Sequence, residues 1–232
     1  MGETRDIPTD SSNFDLMDII LTDLEGTLTT GSSWRGFRRF YRQHYSPLTY
    51  NLFFARFLPR FPLMKLGLLD RQKTMTAWMK AEINLMRGFR PSEVNAMAKT
   101  GVSDEMWPKA RPDVLAELEK KRLAGAQIVI VSGAYQPIVE AFARKMNASA
   151  IGTPLVYKNG RLAGMELPVN SHQHKVARVR ALYPEERIIA AYGDTLSDVP
   201  MLKISEQAVA VYPDEKLRRV AEAQGWRVMP AS

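Results

Sequence analysis

The chain has 232 residues, no cysteine, and 32 basic against 25 acidic side chains, for a net charge of +7. That length can bury a full core, as one domain with a sizeable insertion or as two modest ones, and the lack of thiols excludes disulfides, thiolate nucleophiles and Cys-zinc sites. His44, His172 and His174 are too few and too scattered for a His-metal site, and the polar start from Met1 to Asp15 lacks a signal peptide's apolar run, so a cytoplasmic protein with a frayed N-terminus is expected.

The first predicted element is a buried strand, Met17-Asp18-Ile19-Ile20-Leu21-Thr22, short and rich in branched aliphatics. It delivers Asp23-Leu24-Glu25-Gly26-Thr27-Leu28, two carboxylates at a strand end with a glycine that lets the chain turn away. Thr29 to Ser33 reads as a hinge ending in N-cap residues. Helical spacing follows through Trp34, Phe37, Phe40, Tyr41 and Tyr45, then through Leu48 to Phe57 after Pro47; Pro59 and Pro62 break the segment. Two more helices fit Asp70 to Arg87 and Pro91 to Thr100, so residues 32–105 read as an all-helical block.

From Arg111-Pro112 the rhythm becomes alternating. A helix over Asp113 to Leu123 precedes the strand Gln127 to Val131, which delivers Ser132-Gly133-Ala134, and a helix follows from Tyr135 to Met146. Asn159-Gly160 between two short apolar runs predicts a type I′ hairpin within Thr153 to Met165. A helix over Ser171 to Leu182 leads to the strand Arg187 to Tyr192, ending in Gly193-Asp194-Thr195-Leu196-Ser197-Asp198. Pro200 to Lys203, Ala208 to Val211, Glu215 to Gln224 and Trp226 to Met229 complete the strand–helix succession. Such alternation implies a parallel sheet covered on both faces. If the strands before Asp23 and Asp194 are neighbours, the carboxylates converge where open α/β sheets bind ligands, a cluster of hard oxygens suited to Mg²⁺ beside a phosphate.

The charge is uneven. No Asp or Glu occurs between Leu28 and Leu69, while Arg35, Arg38, Arg39, Arg42, Arg56, Arg60 and Lys65 account for the whole net charge. Ten aromatic residues crowd the same stretch. Such interleaving fits nucleic acid, an anionic membrane surface or an acidic substrate; an aromatic helical core with a solvated basic face explains it equally. The absence of a recognised nucleic-acid motif argues against the first of these partners.

Taken singly, Asp23, Ser132, Lys175, Asp194 or Asp198 could be an N-cap or an ordinary surface residue. Together they supply what phosphoryl transfer needs: a carboxylate nucleophile, oxygen ligands for a cation, a hydroxyl and an ammonium for the phosphoryl oxygens. At these residues the chain resembles the haloacid dehalogenase superfamily of aspartate-nucleophile phosphatases. Asp23-Leu24-Glu25-Gly26-Thr27 matches its first motif, Val131-Ser132-Gly133 the second, Lys175 the third and Gly193-Asp194…Asp198 the fourth. The helical block is similar to the small C1-type cap of the phosphoserine phosphatase-like branch, subfamily IB.

The resemblance implies a Rossmann-like α/β fold, a doubly wound parallel sheet core (1–31 and 106–232) with an inserted all-helical cap (32–105). It implies Asp23 as nucleophile and Mg²⁺ ligand, Glu25 as general acid/base with its carbonyl on the metal, and Asp194 as a further ligand. Ser132, Gly133 and Lys175 would bind the phosphoryl oxygens, with Asp198 in support. Two departures stand out. Glu25 replaces the usual Asp, so its longer arm must fold back or the leaving group sit further out. The acid-free stretch lacks the early cap acid that meets phosphoserine's amine, which argues for another substrate, with Trp34, Arg35 and Arg38 as candidates to meet it. The expectation is a Mg²⁺-dependent phosphatase acting on a small phosphate monoester under cap control. A phosphotransferase, a lipid-phosphate phosphatase touching an anionic membrane, and a non-catalytic anion- or lipid-binding module are the alternatives.

Overall fold

The structure, a computed structural model, describes residues 17–230; the expected frayed start, Met1 to Asp15, lies outside the described residues. The chain begins with β1 (Asp18–Thr22) and enters a helical block of α1 (Ser33–His44), α2 (Pro47–Phe57), α3 (Arg60–Lys65), α4 (Arg71–Met86) and α5 (Pro91–Gly101). A π turn over Val102–Met106 and a 3₁₀ turn over Trp107–Lys109 lead back to the sheet through α6 (Pro112–Leu123). Then follow β2 (Gln127–Tyr135), α7 (Gln136–Ala143), β3 (Ser149–Thr153), the hairpin β4 (Leu155–Lys158) and β5 (Arg161–Met165), and α8 (Gln173–Leu182). The remainder is β6 (Arg187–Gly193), α9 (Val199–Lys203), β7 (Gln207–Val211), α10 (Glu215–Gln224) and β8 (Arg227–Met229).

Six strands form one parallel sheet in the order β3-β2-β1-β6-β7-β8. The chain winds outward from β1 in one direction and from β6 in the other, so the order reverses between these neighbours, the point where doubly wound sheets open a crevice. The aliphatic runs are explained by burial on both faces. Ile20, Ile128, Ile130 and Val209 join the core shared with the helical block, while Ile19, Leu21, Val129 and Val131 join a second core on the opposite face.

The helical block has its own aromatic core. Trp78 of α4 lies with its ring centroid within 6.3 Å of those of Trp34, Phe53, Phe54, Phe57 and Phe61. Each fully buried ring of this kind contributes about 1.5–3 kcal/mol. The aromatic spacing seen in the sequence is therefore used for internal packing. Two adjacent segments join the block to the sheet: Thr29 Oγ1 donates to the Met106 carbonyl at 2.6 Å, and the Thr30 N–H donates to the Lys109 carbonyl at 3.1 Å.

Three local readings need correction. Pro59 does interrupt the segment, between α2 and α3, but Pro62 does not break it again, because it occupies the third residue of α3, where no intrahelical partner for its missing N–H is needed. Tyr135 ends β2 instead of opening the next helix. Strand β3 was not foreseen: Ser149-Ala150-Ile151-Gly152-Thr153 has little intrinsic strand preference, and pairing with β2 makes it the sheet edge. The Asn-Gly hairpin is present, with φ of 51° at Asn159 and 69° at Gly160, as a type I′ turn requires.

Candidate active site

The site grows from the ends of β1 and β6. The Asp23 N–H donates to the Tyr192 carbonyl at 2.9 Å, carrying the pairing of the two strands to the first acidic residue. The turn that follows needs glycine for two reasons. Gly26 has φ +96°, and a Cβ there would overlap the carboxylate of Asp194. Thr27 Oγ1 donates to Asp194 Oδ1 at 3.3 Å, so the first turn also holds the acid delivered by β6.

Lys175, at the start of α8, is 2% exposed and reaches both acidic turns. Its Nζ donates to Asp23 Oδ1 at 2.5 Å and to Asp198 Oδ1 at 2.7 Å. The other oxygen of Asp198 accepts from the N–H groups of Asp194 and Thr195 at 3.3 and 3.2 Å. Both Asp198 oxygens are thus engaged, and its visible work is to hold the lysine and shape the loop. Ser132 is buried nearby, its Oγ accepting from the Ala134 N–H at 3.2 Å. Its carbonyl accepts from Asn170 Nδ2 at 3.0 Å, and the Gly133 carbonyl accepts from Thr153 Oγ1 at 2.8 Å, which fixes this turn.

Carboxylate oxygens of Asp23, Asp194 and Asp198 lie within 4.8 Å of one another. Three carboxylates face one ammonium here, an excess that raises the cost of ionising them all. Burial pushes Asp23 up to about 7, against the lowering charge of Lys175 and with Asp198 adding to the rise. Burial likewise pushes Asp194 up to about 8, reinforced by the charges of Asp23 and Asp198. Burial alone would lower the pKa of Lys175, but Asp198 and Asp23 reverse this and hold it firmly charged. A small divalent cation fits the donor set: all-oxygen ligands, no nitrogen or sulfur, and uncompensated negative charge. Asp23, Asp194 and Asp198 are the carboxylates that could hold it, and of these Asp198 already has both oxygens engaged.

Asp23, Asp194 and Lys175 line a cavity of about 850 Å³ between the carboxyl ends of the strands and the helical block. Glu25, Ser132, Gly133 and Lys175 lie on its wall with Asp23 and Asp194, and Trp34, Met75, Trp78 and Met79 face it from the helices. The Glu25 carboxylate, half-buried, turns toward the helical block, where Oε1 accepts from the Ser33 N–H at 2.5 Å at the start of α1. The extra methylene is thus taken up by a bond to a helix N-terminus. Desolvation raises the pKa of Glu25, and the two hydrogen bonds from Ser33 lower it in part.

Of the three candidate residues in the helical block, only Trp34 lines the cavity. The Arg35 guanidinium lies over the Trp34 ring at 5.4 Å and 3.9 Å from Glu105, and Arg38 lies over Phe54 at 5.8 Å. Both arginines are occupied by packing within the block: Arg35, one position from Trp34, leaves α1 on another face, whereas Arg38, four positions on, shares the face of Trp34 but is taken up against Phe54 of α2.

Glu82 was missed by the sequence reading. It is 4% exposed, lines the cavity from α4, and is pushed by burial up to about 8, against hydrogen bonds from Trp78 and Tyr135 and with Glu25's charge adding to the rise. The Tyr135 hydroxyl lies 2.9 Å from the Met79 carbonyl and 3.2 Å from Glu82 Oε2, two acceptors for one proton. Both contacts are satisfied when Glu82 keeps its proton and donates to Tyr135. An acid between Trp78 and Met86 at four-residue steps, on an apolar helical face, is the signal that could have found it.

The chain is 28% identical over 155 residues to a probable phosphatase of Mycobacterium tuberculosis, covering 64% of this chain and 54% of that protein. It thus spans about half the length of the curated relatives it first matches. A phosphoserine phosphatase of the same organism is 26% identical over 226 residues, covering 92% of this chain and 71% of its own. A crystal structure of a protein of unknown function from Bordetella pertussis superposes with a TM-score of 0.76 at 21% identity, covering 92% of this chain and 98% of the other. The haloacid dehalogenase-like hydrolase family model matches residues 20–203, most of the chain, and this protein belongs to that family.

Proposed function

We propose that this protein is a Mg²⁺-dependent phosphatase that hydrolyses a phosphate monoester through an aspartyl-phosphate on Asp23. The observation that carries the reading is the arrangement of Asp23: one oxygen is fixed at 2.5 Å by Lys175, and the carboxylate faces a large cavity beside Asp194 and Ser132. Lys175 orients the nucleophile and, with Ser132 and the Gly133 N–H, offers charge and donors to phosphoryl oxygens. Mg²⁺, held by Asp23, Asp194 and the Glu25 carbonyl, would screen the repulsion between carboxylate and phosphate.

In the first step an Asp23 oxygen forms a bond to phosphorus while the ester P–O bond breaks, and Glu25 gives its proton to the departing oxygen. In the second, Glu25 takes a proton from water as the water oxygen bonds to phosphorus, releasing inorganic phosphate and restoring Asp23. The raised pKa of Glu25 favours the proton-donating form that the first step needs. Its bond to the Ser33 N–H ties the acid to the first residue of α1, so movement about the two joining segments would couple substrate entry to the position of the acid.

The substrate is a small phosphate ester with apolar surface on its alcohol side, because Trp34, Met75, Trp78 and Met79 form that part of the wall. Phosphoserine suits the apolar side of the site less well: Glu82, the acid that lines it beside Trp78 and Met79, is held neutral and offers an ammonium no fixed charge there.

Hydrolysis of p-nitrophenyl phosphate by the full chain tests the reading. Turnover should require Mg²⁺, stop with chelator, and fall by about a thousandfold or more in Asp23→Asn. Turnover that survives either treatment refutes the mechanism, and no turnover on a broad panel of phosphate esters refutes the phosphatase assignment.

A further inference from the structure

The outer face of the helical block bears a feature that the catalytic reading leaves unexplained. Leu48, Leu52, Leu58, Leu63, Leu66 and Leu68 are 39–73% exposed, all along α2, α3, the turn between them and the turn into α4. Leu48 and Leu52 lie one helical turn apart on α2, with exposed Arg56 one turn further on. The opposite side of the same helix buries Tyr50, Phe53 and Phe57, the last two against Trp78. The segment is therefore two-sided, with aromatic residues packed inward and leucines facing out. Scattered exposed leucines are ordinary, but six along one continuous segment make a patch that signals a docking surface.

Charge selects the partner. Residues 29–69 contain no carboxylate, and Arg56 is exposed on α2 in line with Leu48 and Leu52. A symmetric second copy would set arginine against arginine, whereas an anionic phospholipid surface accepts both the leucines and the positive charge. No helix among the described residues is long and apolar enough to cross a membrane, so contact would be confined to the surface. The position also matters: the turn bearing Leu66 and Leu68 runs directly into Asp70, Arg71, Gln72 and Met75, which line the catalytic cavity.

We propose that the leucine face of α2, α3 and the turn into α4 docks on anionic phospholipid bilayers, holding the cavity mouth at the headgroup layer. Docking stands independently of the phosphatase reading; delivery of a lipid-borne phosphate ester to Asp23 rests on it.

Vesicle co-sedimentation of the full chain tests the proposal. Binding is expected to vesicles of phosphatidylglycerol and phosphatidylcholine, weaker binding to phosphatidylcholine alone, and a several-fold loss between about 0.1 and 0.5 M salt. The paired changes Leu48→Glu/Leu52→Glu and Leu66→Glu/Leu68→Glu should each weaken binding by about tenfold or more. Both pairs should leave turnover of soluble p-nitrophenyl phosphate unchanged, which shows that the variants fold. Absence of binding to the anionic vesicles, equal binding to neutral ones, or binding indifferent to both pairs overturns the proposal. So does a dimer in solution that Leu66→Glu/Leu68→Glu dissociates, since a second copy would then own the face. Vesicle binding by a chain inactive on every phosphate ester would sink the phosphatase reading and leave docking in place.

Discussion

The Glu82→Gln substitution isolates a single buried proton. In the folded chain burial lifts Glu82 from 4.5 to about 8, while the unfolded chain returns it to the ordinary value. Between these limits the folded state binds one proton more than the unfolded state, so stability falls as pH rises from about 4.5 to about 8. At 1.36 kcal/mol per pKa unit the full effect approaches about 5 kcal/mol, with about 2–5 expected after local relaxation. Glutamine reproduces the protonated acid: its Nε2 can donate to the Tyr135 hydroxyl, which still donates to the Met79 carbonyl. The variant should match the parent near pH 4.5 and exceed its stability increasingly up to about pH 8.5. Urea unfolding with chelator present measures this, and comparison of the two proteins at each pH cancels the contributions of Asp23 and Asp194. A difference that does not grow with pH, or a variant less stable at pH 8.5, refutes the neutral-acid argument.

Lys175→Met removes the ammonium that Asp23 and Asp198 share in the buried acidic cluster. It should cost about 3–5 kcal/mol in neutral urea melts without metal, because Asp23 and Asp198 both lose their partner, and it should abolish turnover. A loss below about 1 kcal/mol would show that the pair is solvated and not structural. Gly26→Ala combines an unfavourable φ of +96° with a methyl placed on the Asp194 carboxylate. Turnover should fall by about a hundredfold or more, because the displaced acid no longer meets Asp23; near-parental turnover contradicts the close packing of the two turns.

Much of the sheet was legible because burial leaves a local signature. The aliphatic runs Ile19 to Leu21, Ile128 to Val131 and Ile188 to Ala191 could lie only inside a covered sheet. The two acidic turns were readable too, since each places a carboxylate beside a glycine directly after such a run. What escaped was set by neighbours distant in sequence. Strand β3 exists because β2 offers it a ladder, and its own five residues do not announce it. Arg35 and Arg38 had the right charge for a substrate, but tertiary packing supplies Glu105 to the first and Phe54 of α2 to the second. Glu82 became a buried neutral acid only because α4 packs against the end of β2.

The sequence by itself determined which chemical groups are available: the carboxylates, the lysine, the glycines that allow the turns, and an acid-free basic stretch. Only the tertiary structure decided how they combine. Pairing of β1 with β6 puts Asp23 beside Asp194, and α8 brings Lys175 within 2.5 Å of Asp23 across 152 residues of sequence. The same packing divides the aromatic and leucine-rich stretch into an inner and an outer face, because helix α2 can turn only one side toward Trp78. Local spacing specifies an element's faces, whereas the direction each face points depends on which other surfaces are free to cover it.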